Sequence, residues 1–524
     1  MNTKTNTKSN VNTKLPPFSL GEDMLTWSKL VELSRSANPP VKVSDSSWKK
    51  LLGFRAVVES ALAENRTIYG INTGFGYLSD VRIKSDDMKK LQVNLIRSHA
   101  CGYGDILTDE QARGLLILRA HTFLLGHSGI SRATVEKILE FLCLDVLPVV
   151  PVKGSVGASG DLAPLAHLAL GLLGEGQLRY DGQTLDAKIV LDKVGLSPLE
   201  PNAKEGLSLI NGTQFMTALG AFAMEKANLL LEASNVAACL SLDAIKGTPV
   251  AFDPRIHSVR KQYGQAIVAK YCRDLLTDDE IVKSHESCQK VQDPYSFRCV
   301  PQVHGASYDV LNYVQEVLNR ELNSVTDNPL VFVDGDVVSG GNFHGQPIAM
   351  AFDFLAIAIA ELGSISERRT EKLTNPAMSG LPAFIVKDGG LNSGFMIPHV
   401  VAAALVSENK ILCHPASVDS IPTSADKEDH VSMGPISVRK ALDVCVNVQG
   451  VLGVELIAAC QAIDFHSPLK PSKPLAAVYD KVRKMVSYMD QDRSIHRELD
   501  TLAKWIGNQG VRNVLSEFNL TLPI

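Results

Sequence analysis

Between Lys153 and His167 the chain reads KGSVGASGDLAPLAH, with glycine at 154, 157 and 160 and an apolar segment directly behind. Such backbone freedom ahead of a helix can serve three chemistries: a cradle for phosphate, a serine nucleophile on a tight turn, or a peptide that is itself the reagent. A phosphate loop requires Gly-Lys-Ser/Thr after four spacers. Here Gly160 is followed by Asp161 and Leu162, and the acidic residue would repel a phosphate. A nucleophile elbow requires G-x-S-x-G after a strand. Gly157-Ala158-Ser159-Gly160-Asp161 ends in Asp and has no strong strand pattern before it. The third chemistry fits the residue types. With no side chain on Gly160, its amide nitrogen can reach the carbonyl carbon of Ala158 and close a five-membered ring. Loss of water from the ring and of the Ser159 hydroxyl then leaves a conjugated exocyclic methylene, a strong electrophile. Asp161 is suited to cap the helix LAPLAHLALGLL, whose positive end would face the charge developing on attack. Taken alone, Ala-Ser-Gly reads as an ordinary turn, because small-residue turns are everywhere.

The surrounding residues separate these readings. GSVGASGDLAPLAH resembles the motif of the ammonia-lyase and aminomutase family, whose members build a 4-methylidene-imidazol-5-one (MIO) group from Ala-Ser-Gly. The resemblance continues, in the family's order, through YGINTGFG (69–76), LINGTQ (209–214), VQDPYSFRCVPQVHG (291–305), SGGNFHGQP (339–347) and TSADKEDHVSMG (423–434). It spans roughly residues 20 to 520. It implies elimination of ammonia from an α-amino acid, with an MIO group made autocatalytically from Ala158, Ser159 and Gly160 taking the substrate amine. No metal or nucleotide cofactor is expected.

The same resemblance implies roles for single residues. Tyr69 occupies the position of the tyrosine that removes the β-proton, which requires that its own proton be passed on or its pKa lowered. Arg298 matches the arginine that holds the substrate carboxylate, a task suited to a forked guanidinium. Tyr295, three residues earlier, can share its face. Asn211 matches an asparagine near the carboxylate and the electrophile, Phe343 would stack on the prosthetic ring, and Gln292 is a supporting candidate.

Two positions bear on the substrate. His99, in NLIRSHACGYG, matches the Ser-His pair of the family's histidine branch, where phenylalanine and tyrosine lyases carry Phe-Leu or His-Leu. Some tyrosine aminomutases share Ser-His. Glu428 in KEDHVSMG matches a glutamate of the histidine branch, where the aromatic lyases and mutases carry glutamine. A carboxylate can accept an imidazole N–H, which a phenyl ring cannot use. The resemblance therefore implies L-histidine as substrate, with urocanate and ammonia as products. Lys427 departs from the pattern by replacing the glutamine usual before that glutamate.

Long elements must position these residues. Val303, Ala306, Val310, Tyr313, Val314, Val317 and Leu318 recur at helical spacing and stop at NSVTDNP. The segment 347–369 begins with Pro347 at a plausible first helical position and is apolar nearly all round for fifteen residues, which predicts enclosure by other helices. The segments 215–245 and 435–464 behave alike and are rich in Ala and Gly. Strand patterns are few: TIYGI (67–71), RYDGQTL (179–185) and LVFVDGDVVSG (330–340), the last two as hairpins around Asp-Gly. The class expected is mainly α. It has a disordered tail over 1–15, an N-terminal α+β domain with the MIO loop over 16–215, and a long-helix bundle with a helical cap over 216–524. The resemblance adds a homotetramer with active sites shared between subunits.

The totals set the remaining bounds. The chain has 524 residues, with 52 Lys plus Arg against 57 Asp plus Glu and a net charge of −5. That balance supplies no reason to expect nucleic acid or an anionic membrane as partner. Nine cysteines are scattered with no C-x-x-C pair, and there is no H-E-x-x-H, as for reduced cytoplasmic thiols rather than a zinc or disulfide framework. Charges such as Glu232, Asp353 and Glu361 interrupt the apolar runs, so no membrane span is expected. The opening MNTKTNTKSNVNTK has almost nothing to bury. Three rivals stay open at this point: a tyrosine or phenylalanine ammonia-lyase or 2,3-aminomutase of the same fold, a hydrolase using Ser159, and a non-enzymatic assembly protein.

Overall fold

The computed structural model describes residues 17–64, 66–74, 81–84, 87–286 and 291–523. The expected tail over 1–15 lies outside them. The chain divides into two compact units. The first holds the residues up to Gly154 with Leu162–Gln214 and Asn323–Phe343; the second holds Ser155–Asp161, Phe215–Leu322 and the chain from His344 onward. The sequence division at 215/216 thus differs from this one in two segments. The Ala-Ser-Gly loop groups with the long helices, and the 330–340 hairpin groups with the first unit.

Helices dominate both units, and the sheets among the described residues are of two or three strands. In the first unit, Asp109–Leu124 starts from a reciprocal capping box in which Thr108 and Gln111 satisfy each other's backbone N–H. It is buried on every side from Ala112 onward. The two Asp-Gly hairpins form as expected: Gln177–Tyr180 pairs with Gln183–Asp186, and Leu330–Val331 pairs with Val337–Val338. The stretch 67–71 is not a strand. The Asn72 side chain accepts from the Ile68 N–H (2.9 Å) and donates to the Arg66 carbonyl (2.7 Å), and Gly70 takes a φ of +74°. A side chain that satisfies its own backbone in this way closes a turn in place of a ladder. Deep in this unit, fully buried Lys204 meets Asp327 at 3.0 Å and Ser208 at 2.9 Å.

The second unit is built on the helices Gln214–Ala244, Val300–Leu322, Gln346–Thr374, Met396–Leu412 and Gly434–Asp464. Pro347 does fall in the first turn of its helix. Small residues let these helices approach closely: a Cβ added at Gly220 would come within 2.5 Å of the Phe352 ring. Gln346–Thr374 and Gly434–Asp464 are joined by a wholly buried ion pair, Arg369 to Glu455, whose carboxylate also accepts from Ser241 (2.7 Å) and Ser366 (2.6 Å). Every lone pair of that carboxylate is thereby engaged, which is what makes a buried charge tolerable.

Two sequence expectations need correcting here. These same two helices are long and apolar enough, by composition, to cross a membrane, so charge does not break every such run. Each is nonetheless a core helix, with 67% and 72% of its most apolar window buried inside the protein. Nor is Gln346–Thr374 enclosed on all sides within one chain: Met350, Phe354 and Ile357 stay 42–43% exposed along one stripe.

Candidate active site

The loop Ser155–Asp161 turns back on itself through left-handed backbone at Gly157 (φ +80°), Ser159 (+48°) and Gly160 (+79°). Ser159 is the residue that strains to do so, since it carries a Cβ. The loop is held from both sides. The Ser155 Oγ accepts from the Gly157 N–H (3.0 Å) and donates to the Gly160 carbonyl (3.1 Å). The Met433 N–H donates to the Val156 carbonyl (2.8 Å). The carboxylate of Asp161, placed by the sequence at the start of Leu162–Leu172, reaches across to the Met216 N–H (3.0 Å) in the first turn of Gln214–Ala244. Ala158 is buried against Val431 and Met433, and a Cβ at Gly157 would run into the Ser432 hydroxyl.

The residues present fit an MIO group. The chain bends back at Ser159 and Gly160, inside the tripeptide that would close the ring, and the hydroxyl that must be lost faces a carboxylate. That carboxylate is Glu428: the Ser159 Oγ donates to Glu428 Oε1 at 3.1 Å. Its other oxygen, Oε2, accepts from the hydroxyls of Thr423 (2.8 Å) and Ser424 (2.7 Å). The backbones of Thr423 and Glu428 exchange two hydrogen bonds, and the segment between them passes through left-handed Ser424, Ala425 and Asp426. Three consecutive non-glycine residues in that region store strain and aim the glutamate side chain. Thr423 and Ser424 were not singled out from sequence; the available signal was two hydroxyls five and four residues ahead of Glu428. Lys427 is exposed.

The other predicted residues of this unit form a second group. In the short helix Tyr295–Arg298 the guanidinium of Arg298 lies 4.4 Å from the centre of the Tyr295 ring. Arg298 Nε is buried with no hydrogen-bond partner among the described residues, so the fork has a donor left for an incoming anion. Tyr295 is 71% exposed, and Gln292 is exposed beside it. Among the described residues no hydrogen bond or ring contact links this group to Ser159 or Glu428.

The first unit carries four more. Tyr69 sits half-buried on the turn closed by Asn72. Asn211 is buried at the end of Glu205–Ile210; its carbonyl accepts from Arg119 (3.2 Å), and the residues after it are tied to Thr326 by the Thr213 N–H (3.2 Å) and Gln214 Nε2 (2.8 Å). With its backbone held so firmly, Asn211 Oδ1 remains buried without a hydrogen-bond partner among the described residues, an orphan that marks a contact supplied from elsewhere. His99 ends the helix Met88–His99 with Nδ1 at 2.8 Å from the Leu95 carbonyl. A carbonyl only accepts, so Nδ1 carries a proton, and in the tautomer with its single proton there Nε2 is an acceptor. His99 borders a cavity of about 450 Å³ lined by Gly74, Val81, Ile83, Leu91 and Leu95. Phe343 is half-buried at the end of Asn323–Phe343.

Against known proteins, the model of the family described as aromatic amino acid lyase matches residues 25–484. A histidine ammonia-lyase of Myxococcus xanthus is 48% identical over 492 residues, covering 94% of this chain and 97% of its own. Among solved structures, the histidine ammonia-lyase of Trypanosoma cruzi superposes with a TM-score of 0.88 at 45% identity, over 96% of this chain and 95% of that one. The tyrosine aminomutase of Streptomyces globisporus gives a TM-score of 0.90 at 34% identity, over 96% and 98%. The loop, its carboxylate and these likenesses converge on one conclusion: the chain belongs to the aromatic amino acid lyase family.

Proposed function

We propose that this chain eliminates ammonia from L-histidine to give trans-urocanate, the opening step of histidine breakdown. The observation that carries the reading is the carboxylate of Glu428, clamped on Oε2 by two hydroxyls while Oε1 faces the Ala-Ser-Gly loop. A fixed acceptor there suits a ring that carries an N–H. The 48% and 45% identities to histidine ammonia-lyases support the same choice over the 34% to an aminomutase.

The MIO group, once formed from Ala158, Ser159 and Gly160, supplies an electrophile for the substrate amine. The remaining roles fall to ordinary side chains. Arg298, its plane set by Tyr295, binds the substrate carboxylate through the fork that is only partly engaged. Asn211 works at the same end of the substrate, its amide N–H able to donate to the carboxylate and its orphaned Oδ1 able to accept from the amine. Glu428 accepts the imidazole N–H, and His99 Nε2 is a second acceptor for that ring. Tyr69 takes the β-proton. Phe343 flanks the prosthetic ring, and Gln292 supports the carboxylate site. The exposed apolar stripe on Gln346–Thr374 supports assembly as a homotetramer. Free thiols at the eight described cysteines accord with a cytoplasmic enzyme.

The test is direct. Purified chain incubated with L-histidine should generate the ultraviolet absorbance of urocanate, and the peptide holding 158–160 should lack two waters. Ser159→Ala should abolish both with the assembly intact. Release of a β-amino acid from tyrosine, with no urocanate from histidine, would assign the aminomutase chemistry instead.

A further inference from the structure

One side chain in the loop belongs to no role assigned so far. The Ser155 hydroxyl is a staple across four residues: its oxygen accepts from the Gly157 N–H at 3.0 Å while its proton goes to the Gly160 carbonyl at 3.1 Å. The two residues between the tied points are Ala158 and Ser159. Everything that must approach during ring closure therefore lies inside a loop fastened at both ends to a single atom. The restraints at the two outer ends act differently. Met433 holds Val156 and Met216 holds Asp161, so they anchor the outer ends of the loop to the surrounding helices without shortening the span between 157 and 160.

We infer that Ser155 is the positioning residue for maturation of the loop, holding residues 157–160 in the bend from which the Gly160 nitrogen reaches the Ala158 carbonyl carbon. The inference rests on the reading that this loop becomes an MIO group. The bond formed is Gly160 N to Ala158 C. The Ala158 carbonyl oxygen departs as one water, taking the proton of the Gly160 amide and that of the Ser159 amide, and a C=N bond joins Ala158 to Ser159. The Ser159 Cβ–Oγ bond breaks next, and its hydroxyl leaves with the Ser159 Cα proton as the second water, giving the exocyclic methylene. No oxidant or further reactant enters. Ser155 loses nothing in these steps. Its contribution is to hold the left-handed backbone at Ser159 and Gly160 (φ +48° and +79°) before the reaction, so that the loop need not find that conformation unaided.

The experiment follows the two-water loss against time in full-length chain made by cell-free synthesis, using the mass of the peptide holding 158–160. Circular dichroism on each sample reports the folded fraction. Ser155→Ala should mature about tenfold to a hundredfold more slowly per folded molecule, as expected for two lost hydrogen bonds. Ser155→Thr, which keeps the hydroxyl, should restore most of the rate. Ser155→Cys, a weaker donor, replaces the alanine variant if that one is insoluble. A folded Ser155→Ala or Ser155→Cys chain that matures at the unsubstituted rate overturns the inference. So does a folded Ser155→Thr chain as slow as Ser155→Ala. Should the unsubstituted chain itself never lose two waters, the function proposed above falls first, and the two failures are told apart.

Discussion

Glu428 Oε1 lies 3.1 Å from the hydroxyl of Ser159, across 269 residues of sequence. The contact joins the residue that would select the substrate ring to the residue that would be consumed in making the electrophile. Glu428→Gln keeps the size of the side chain and its contact with Ser159 but removes the charge. A hydrogen bond to a charged group contributes about 1.5–3 kcal/mol, so kcat/KM for histidine should fall about tenfold to a hundredfold. Steady-state urocanate formation measures this, with the loop mass as control. An unchanged rate would remove Glu428 from the substrate site.

Thr423 and Ser424 carry the second prediction, because they hold the oxygen of Glu428 that does not face the loop. The double substitution Thr423→Val with Ser424→Ala frees the carboxylate to rotate. The expected loss in kcat/KM is about tenfold, the value of one to two modest hydrogen bonds. Thr423→Ser should behave as the unsubstituted chain. If the double variant matches it too, the clamp is incidental to turnover.

Much of this was legible beforehand. Helix periodicity located Gln214–Ala244 and Gly434–Asp464 to within a residue, stopped five residues short on Gln346–Thr374 and did not announce Met396–Leu412, while the Asp-Gly turns placed both hairpins. The stretch 67–71 misled because its β-branched and aromatic residues read as strand. What decides it is one side chain, Asn72, bonding backwards to Ile68 and Arg66. Glu428 in a run of charges resembles a solvated face. Its clamp depends on three left-handed residues that no composition announces. Ser155 was equally silent, since a serine in a glycine loop has no periodicity to betray it.

A third prediction concerns stability. Asp243 is wholly buried, and burial together with the neighbouring Asp279 carboxyl holds its pKa well above the ordinary carboxylate value. In the folded chain it therefore keeps a proton that the unfolded chain gives up near the ordinary carboxyl value of 3.8. Where the native state binds more protons than the unfolded state, stability falls as pH rises. The loss begins as pH passes that unfolded value and grows up to the raised folded one. Asp243→Asn mimics the protonated acid and can still donate to Asp279. Its melting temperature relative to the unsubstituted chain should climb as the pH goes from about 5 to about 8. A difference that stays constant with pH would mean that Asp243 is ionised when folded.

Met350, Phe354 and Ile357 stand four and three residues apart on Gln346–Thr374, each 42–43% exposed, on a helix whose other faces are packed in the core. Beside them Val303, Ala306 and Val310 of Val300–Leu322 line a cavity of about 400 Å³ that Phe354 and Ile357 also border. A contiguous apolar groove of this kind marks a surface meant to be covered, and a homotetramer would cover it. A charge in its centre would have to be desolvated on assembly, which costs several kcal/mol for an unpaired ion. If the chain assembles as the proposed homotetramer, Phe354→Glu should therefore lower the mass measured by light scattering to that of smaller species. If the active site draws on several subunits, turnover should fall with the assembly. Maturation should persist, because the bonds that Ser155, Met216, Glu428 and Met433 make to the loop are made by the chain itself. A dissociated variant whose loop peptide still lacks two waters but which makes no urocanate would separate the two events. A Phe354→Glu chain that remains tetrameric would move the subunit interface to another face.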